Sequence, residues 1–109
     1  MAESESHCRA KSAAAGPNGQ TEVPLPGGRR LDALSADGKK ATEIERSGDP
    51  ALLQKAARRL AASEAPQRVL KVPQPDMPAA AEAMRAAGVS GTLTNLSGTK
   101  KQRIRPQGK

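Results

Sequence analysis

The sequence predicts an α/β fold, a small mixed sheet in which a β-hairpin is followed by further elements in β-α-β-α-β-type order, with the helices packed on the sheet. Two observations carry this prediction. Asp37-Gly38, a pair favoured in two-residue hairpin loops, lies between Arg29–Ser35 and Lys39–Arg46, the two stretches that would form the hairpin strands. Further along, two stretches have apolar residues at helical spacing, and a short run of strand-forming residues follows each of them.

The length and composition bound the rest of the chain. It has 109 residues without Phe, Tyr or Trp, so one modest core must be built from aliphatic side chains and much alanine. We predict a disordered arm over residues 1–20, because that segment shows no periodicity, then an α/β domain over 21–97 and a basic tail over 98–109. One cysteine provides no disulfide framework. No apolar run is long enough for a signal peptide or a membrane span, which predicts a cytoplasmic protein without a membrane partner.

The first predicted strands form a hairpin. Thr21–Leu25 is expected at the edge of the sheet, because Pro24 has no N–H to donate to a neighbouring strand. The hairpin strands are Arg29–Ser35 and Lys39–Arg46, joined at Asp37-Gly38. With this loop, one side of the hairpin is predicted to face the core and to carry Leu31 opposite Ile44.

Asp49-Pro50 is predicted to begin a helix, because Asp is a favoured N-cap residue and Pro is tolerated in the first turn. Apolar residues recur at helical spacing from Leu52 to Ala61. The opposite face of this helix carries the basic residues Lys55, Arg58 and Arg59.

A second helix is predicted over Met77–Ala87, after the short apolar strand Arg68–Val72. Asp76 is its expected N-cap residue. Gly88 is its expected stop, because glycine readily adopts the left-handed conformation that ends many helices. Thr92–Leu96 is the last strand of the predicted domain.

Three carboxylates come together on the predicted hairpin. Glu43 and Glu45 share a face of one strand, and Asp32 lies directly across from Glu43. Like charges placed opposite each other destabilise a hairpin, whereas Mg²⁺ or Mn²⁺ bound by these carboxylates would reverse that effect. Such an ion polarises a phosphate group and generates a hydroxide nucleophile. The alternative is a solvated hairpin face with an ordinary ion pair between Arg30 and Glu45.

The same residues carry a family resemblance. The run from Arg29 to Leu34, the Asp37-Gly38 turn and the run from Ala41 to Gly48, followed by a helix, resemble the core of PD-(D/E)xK nucleases. More narrowly, they resemble the restriction-endonuclease-like domains at the C-termini of bacterial polymorphic toxins. That class implies a metal-dependent nuclease-like module, active or an inactive remnant, delivered as part of a larger toxin, with an immunity or other protein as partner.

The resemblance assigns roles to particular residues. Asp32 and Glu43 match the metal-binding Asp and Glu of the family. The position of the family Lys, which serves the attacking water, holds Glu45. The catalytic cation would therefore come from Lys55, Arg46 or Arg58. The family usually has a helix before its first strand, and no helix is predicted there in this chain.

The net charge of +7 favours a nucleic-acid partner, DNA or RNA. The absence of aromatic residues argues against single-strand binding by base stacking. Two alternatives to a nuclease stay open: a non-catalytic nucleic-acid-binding protein, and a protein-interaction module that folds fully against a partner. Pairing of residues 101–105 with the last strand would make the tail an ordered basic edge. The residues predicted to contact phosphates are Arg30, Arg46, Arg58, Arg59, Lys100, Lys101, Arg103 and Arg105.

Overall fold

The sheet is mixed and has six strands, which lie side by side in their order along the chain. A computed structural model describes residues 5–25, 30–63 and 65–105. The predicted mixed α/β fold class is confirmed, because helices pack against this sheet. The elements are α1 (Glu5–Ala15), β1 (Gln20–Pro24), β2 (Arg30–Leu34), β3 (Lys40–Ile44), α2 (Pro50–Ala62), β4 (Gln67–Val72), a 3-10 turn (Gln74–Asp76), α3 (Met77–Ala87), β5 (Gly91–Asn95) and β6 (Lys101–Ile104).

The predicted hairpin forms with the predicted register. β2 and β3 are antiparallel, with Ala33 opposite Thr42 and Leu34 opposite Ala41. The loop is longer than the two residues predicted. Its ends are Ser35 and Lys40, where the N–H of Ser35 donates to the carbonyl oxygen of Lys40 at 3.0 Å. Gly38, at a φ of 72°, takes the left-handed conformation that this turn requires. Residues 26–28 and Arg29, the first residue of the predicted hairpin strand, lie outside the described residues.

The remaining strands extend the sheet from β3. The pairs β3–β4 and β4–β5 are parallel, and α2 and α3 form the connections between them. The strand β6 is antiparallel to β5, so part of the predicted basic tail is a strand of the sheet. The predicted pairing of this segment with the last domain strand is therefore present.

Local signals place the ends of two helices. The Asp49 carboxylate accepts a hydrogen bond of 2.9 Å from the Ala51 N–H, as expected of an N-cap residue. Gly88, at a φ of 73°, ends α3 as predicted. Asp76 precedes α3 but makes no side-chain capping bond, and its carboxylate lies beside Gly48 instead.

The helix α1 occupies most of the segment predicted as a disordered arm. It contacts β1, β2 and β3, and its residues Lys11 and Ala15 are buried. Alanine has the highest helix propensity of all residues, and tertiary packing stabilises helices that lack a regular apolar stripe. A helix therefore precedes the first strand, where none was predicted.

The core is aliphatic and lies between the sheet and the pair α2 and α3. Its fully buried side chains include Leu53, Leu60, Leu70, Met84 and Leu93. Both alternating sets of side chains on β3 are buried, because α1 and α2 both contact this strand. Within the described residues, none of the helices has the length and apolar character needed to cross a membrane.

Candidate functional site

The side chains of Asp32 and Glu43 link β2 to β3, one residue beyond the last paired residues of the two strands, Ala33 and Thr42. The N–H of Asp32 donates to Oε2 of Glu43 at 2.7 Å. In return, the N–H of Ile44 donates to Oδ2 of Asp32 at 2.8 Å. The two acids therefore meet across the strands, as the predicted register requires, and each one satisfies a backbone donor of the other strand.

Two cations reach these acids from the helices. Nη1 of Arg59, on α2, lies 3.2 Å from Oε1 of Glu43. Nζ of Lys11, on α1, lies 3.6 Å from Oδ1 of Asp32 and also pairs with Glu22 of β1. The side chains of Lys11 and Glu43 are only 3% and 1% exposed. The polar cluster thus connects α1 to α2 through the sheet. Its members are Lys11, Glu22, Asp32, Glu43 and Arg59.

Glu43 is an acid in an environment that disfavours its charge. Burial is the largest cause and, with the nearby negative charge of Asp32, raises the pKa of Glu43 to about 8. Hydrogen bonds from the Asp32 N–H and from Arg59 act in the opposite direction but do not cancel these effects. We therefore expect Glu43 to hold its proton at neutral pH in the absence of a bound cation. The Arg59 contact is then mainly a hydrogen bond between a guanidinium and a neutral acid.

This raised pKa makes the stability of the fold depend on pH. Between the unfolded value of about 4.5 and the folded value of about 8, the folded state binds one proton more than the unfolded state. The free energy of unfolding should therefore fall as the pH rises through this window, by up to about 1.4 kcal/mol per pH unit from this group. Denaturant titrations from pH 5 to 9 measure the slope. The variant Glu43→Gln should flatten it, and an equal slope in wild type and variant would contradict the assignment.

The third predicted ligand points elsewhere. Glu45 is half-buried, and its Oε2 accepts a hydrogen bond of 3.1 Å from the N–H of Ser47 in its own turn. Within the part of the chain that the structure describes, no three His, Cys, Asp or Glu side chains are grouped closely enough to hold a metal ion. The site that the structure forms is therefore a pair of acids, Asp32 and Glu43, rather than the predicted group of three.

The predicted cations are distributed over the surface. Lys55, Arg58 and Arg46 are exposed. Arg59, predicted on the same helix face as Lys55, contacts Glu43 instead of projecting into solvent. The other predicted phosphate contacts are exposed on β2 or in the C-terminal segment: Arg30, Lys100, Lys101, Arg103 and Arg105.

Sequence reasoning missed Lys11 and Glu22, which lie in or next to the predicted arm. No local pattern indicates that Lys11 is buried, since its neighbours are small or polar residues. Only the packing of α1 on β1, β2 and β3 brings its ammonium group to the acids.

The fold and this cluster define a small mixed α/β domain with an acid pair, the buried Glu43 and the half-buried Asp32, between adjacent antiparallel strands. Comparisons of the chain with protein-family models, with curated proteins and with solved structures found no match.

Proposed function

We propose that the chain is a nuclease-like domain of the PD-(D/E)xK type, which acts on nucleic-acid phosphodiesters with Mg²⁺ or Mn²⁺. The observation that carries this proposal is the meeting of Asp32 and Glu43 across β2 and β3 through two short hydrogen bonds. The order of elements adds support. The helix α1 precedes β1, and β3 is followed by α2 and β4, an arrangement like the core of that family.

The donor set fits a magnesium-type ion. Mg²⁺ is commonly held by one or two carboxylates and completes its shell with waters and substrate phosphate oxygens. Asp32 and Glu43 would supply the two carboxylates, and the charge of the ion would lower the raised pKa of Glu43. When bound, the ion supplies Lewis-acid stabilisation of the phosphate and a more acidic water.

The residues of the chain supply a cation beside the acids. Lys11 is buried, and its ammonium group lies 3.6 Å from Oδ1 of Asp32, held there by the ion pair with Glu22. In this proposal Lys11 stabilises negative charge near the scissile phosphate.

The test is cleavage of plasmid DNA and of RNA with Mg²⁺ or Mn²⁺ and with a chelator. Asp32→Asn is the sharpest variant, because its amide oxygen can still accept the Ile44 N–H while the ligand charge is lost. We expect cleavage to fall at least about tenfold and to require the metal. Glu82→Gln, at a side chain 77% exposed on α3, is the control. Cleavage that survives in Asp32→Asn, or that persists in chelator, would contradict this site.

A second candidate function is nucleic-acid binding without cleavage. It is favoured by the existing partners of the acids, since Arg59 contacts Glu43 and Lys11 contacts Asp32. Asp32 and Glu43 would then serve to hold α1 and α2 on the sheet. This candidate predicts that the wild-type chain binds DNA or RNA and leaves it intact in the presence of either metal.

A further inference from the structure

A wide groove crosses four strands of the sheet, from β3 to β6, and has a volume of about 790 Å³. Basic side chains from three of these strands line it, and its described lining contains no acid. These residues are Lys40 of β3, Lys71 of β4, and Lys101 and Arg103 of β6. This set is called the basic groove below.

The register of the sheet explains why these side chains meet. Val69 lies beside Thr92, which lies beside Arg103, and one row further Lys71 lies beside Thr94, which lies beside Lys101. The alternate residues of the same strands, including Leu70 and Leu93, belong to the core beneath α2 and α3. Because side chains alternate along a strand, the basic rows lie on the sheet face away from these two helices.

The groove holds more positive charge than is needed to keep an exposed edge strand from pairing with other chains. Lysine on an edge strand discourages pairing with other chains, which would account for Lys101 on β6. It does not account for Lys71, which is half-buried on an interior strand. Burial, followed by the like charges of Lys40 and Lys101, lowers the pKa of Lys71.

We propose that the basic groove binds the phosphate backbone of nucleic acid. Phosphate oxygens would relieve the repulsion among Lys40, Lys71 and Lys101, and the hydroxyl group of the half-buried Thr92 can donate to the same oxygens. The described groove offers no aromatic side chain for stacking, so recognition of the backbone is independent of base sequence. A membrane surface fits less well, because membrane binding buries apolar side chains and, among the described residues, Leu96 alone is a large apolar residue that is exposed.

This inference goes beyond the proposed function, because Glu43 contacts Arg59 of α2 whereas the groove lies on the sheet face away from α2. It is tested without catalysis. Fluorescence anisotropy with labelled duplex DNA and duplex RNA, in chelator, compares the full chain with the double variant Lys71→Gln/Arg103→Gln. We expect binding at least about tenfold weaker and a log–log salt dependence reduced by about 2, since each phosphate contact contributes about 0.9. Thermal unfolding verifies that the variant folds.

The matched control is Lys55→Gln/Arg58→Gln, which removes the same charge from the exposed surface of α2. A smaller loss of affinity in this control supports the groove, and an equal loss shows attraction by net charge alone and overturns it. Binding to anionic vesicles instead of nucleic acid would also overturn it. Failure of the nuclease proposal is recognised separately, because a wild-type chain that binds through the groove in chelator but leaves the nucleic acid intact with Mg²⁺ or Mn²⁺ would overturn the nuclease proposal alone.

Discussion

Replacement of Glu45 by Lys should increase metal-dependent cleavage by about 100-fold, if the acid pair is a nuclease site. Glu45 follows Glu43 by two residues and directly follows β3, at the position where the PD-(D/E)xK nucleases that the sequence resembles carry a lysine. A cation there would stabilise charge that develops on the phosphate, an effect that is commonly worth a factor of about 100 or more. The substitution costs the hydrogen bond from the Ser47 N–H, about 1 kcal/mol of stability. Initial rates of plasmid nicking at saturating Mg²⁺ measure the change.

Two controls separate the cation from its side effects. Glu45→Gln removes the charge of the acid without adding a cation, and it should give a much smaller increase. Glu82→Lys makes the same change of charge at an exposed position on α3 and should leave the rate unchanged. If Glu45→Lys cleaves no faster than Glu45→Gln, the lysine position of the family has no counterpart in this chain.

The predictable part of the fold is the part that local chemistry determines. A hairpin loop at Asp37-Gly38 sets the register of β2 and β3, so the meeting of Asp32 and Glu43 follows from the sequence alone. The capping bond of Asp49 and the left-handed Gly88 likewise depend on residues within a few positions. Such signals are strong because they act before any tertiary contact forms.

The unpredicted part depends on long-range packing. The helix α1 has no amphipathic pattern, and its position depends on contacts with three strands that follow it in the chain. The ion pairs of Lys11 with Glu22 and Asp32 exist only because α1 packs there. The burial of Glu43 was also missed. The hairpin register places Glu43 on the side of β3 opposite the predicted core face, but α1 and α2 both contact this strand, and Glu43 is buried.

The basic groove shows the same limit for charge. Lys40, Lys71 and Arg103 are far apart in the sequence, and only the register of β3 to β6 brings them to one surface. Several of the predicted phosphate contacts lie on α2 and in the tail, where basic residues cluster along the sequence. Local clusters identify exposed charge, whereas strand pairing decides which charges converge on one ligand.

The second large effect concerns whether the chain folds by itself. Leu53 is fully buried on α2, whereas its neighbour Leu52 is half-buried. Leu53→Ala should lower the free energy of unfolding by about 3 kcal/mol, because it leaves a cavity in the core. The melting temperature should then fall by about 15 °C in a domain of this size. Leu52→Ala should cost less than about 1 kcal/mol, since much less apolar area leaves the interior.

Circular dichroism melts at two protein concentrations test this expectation against the protein-interaction alternative. A core without aromatic residues buries little area per side chain, so loss of one leucine removes a large share of a total stability of about 5–15 kcal/mol. A cooperative wild-type transition that does not depend on concentration, and that Leu53→Ala lowers far more than Leu52→Ala, means that this core forms within one chain. Equal effects of the two variants, or no cooperative transition, would mean that α2 packs in place only against a partner, and the nuclease and binding assays would then require that partner.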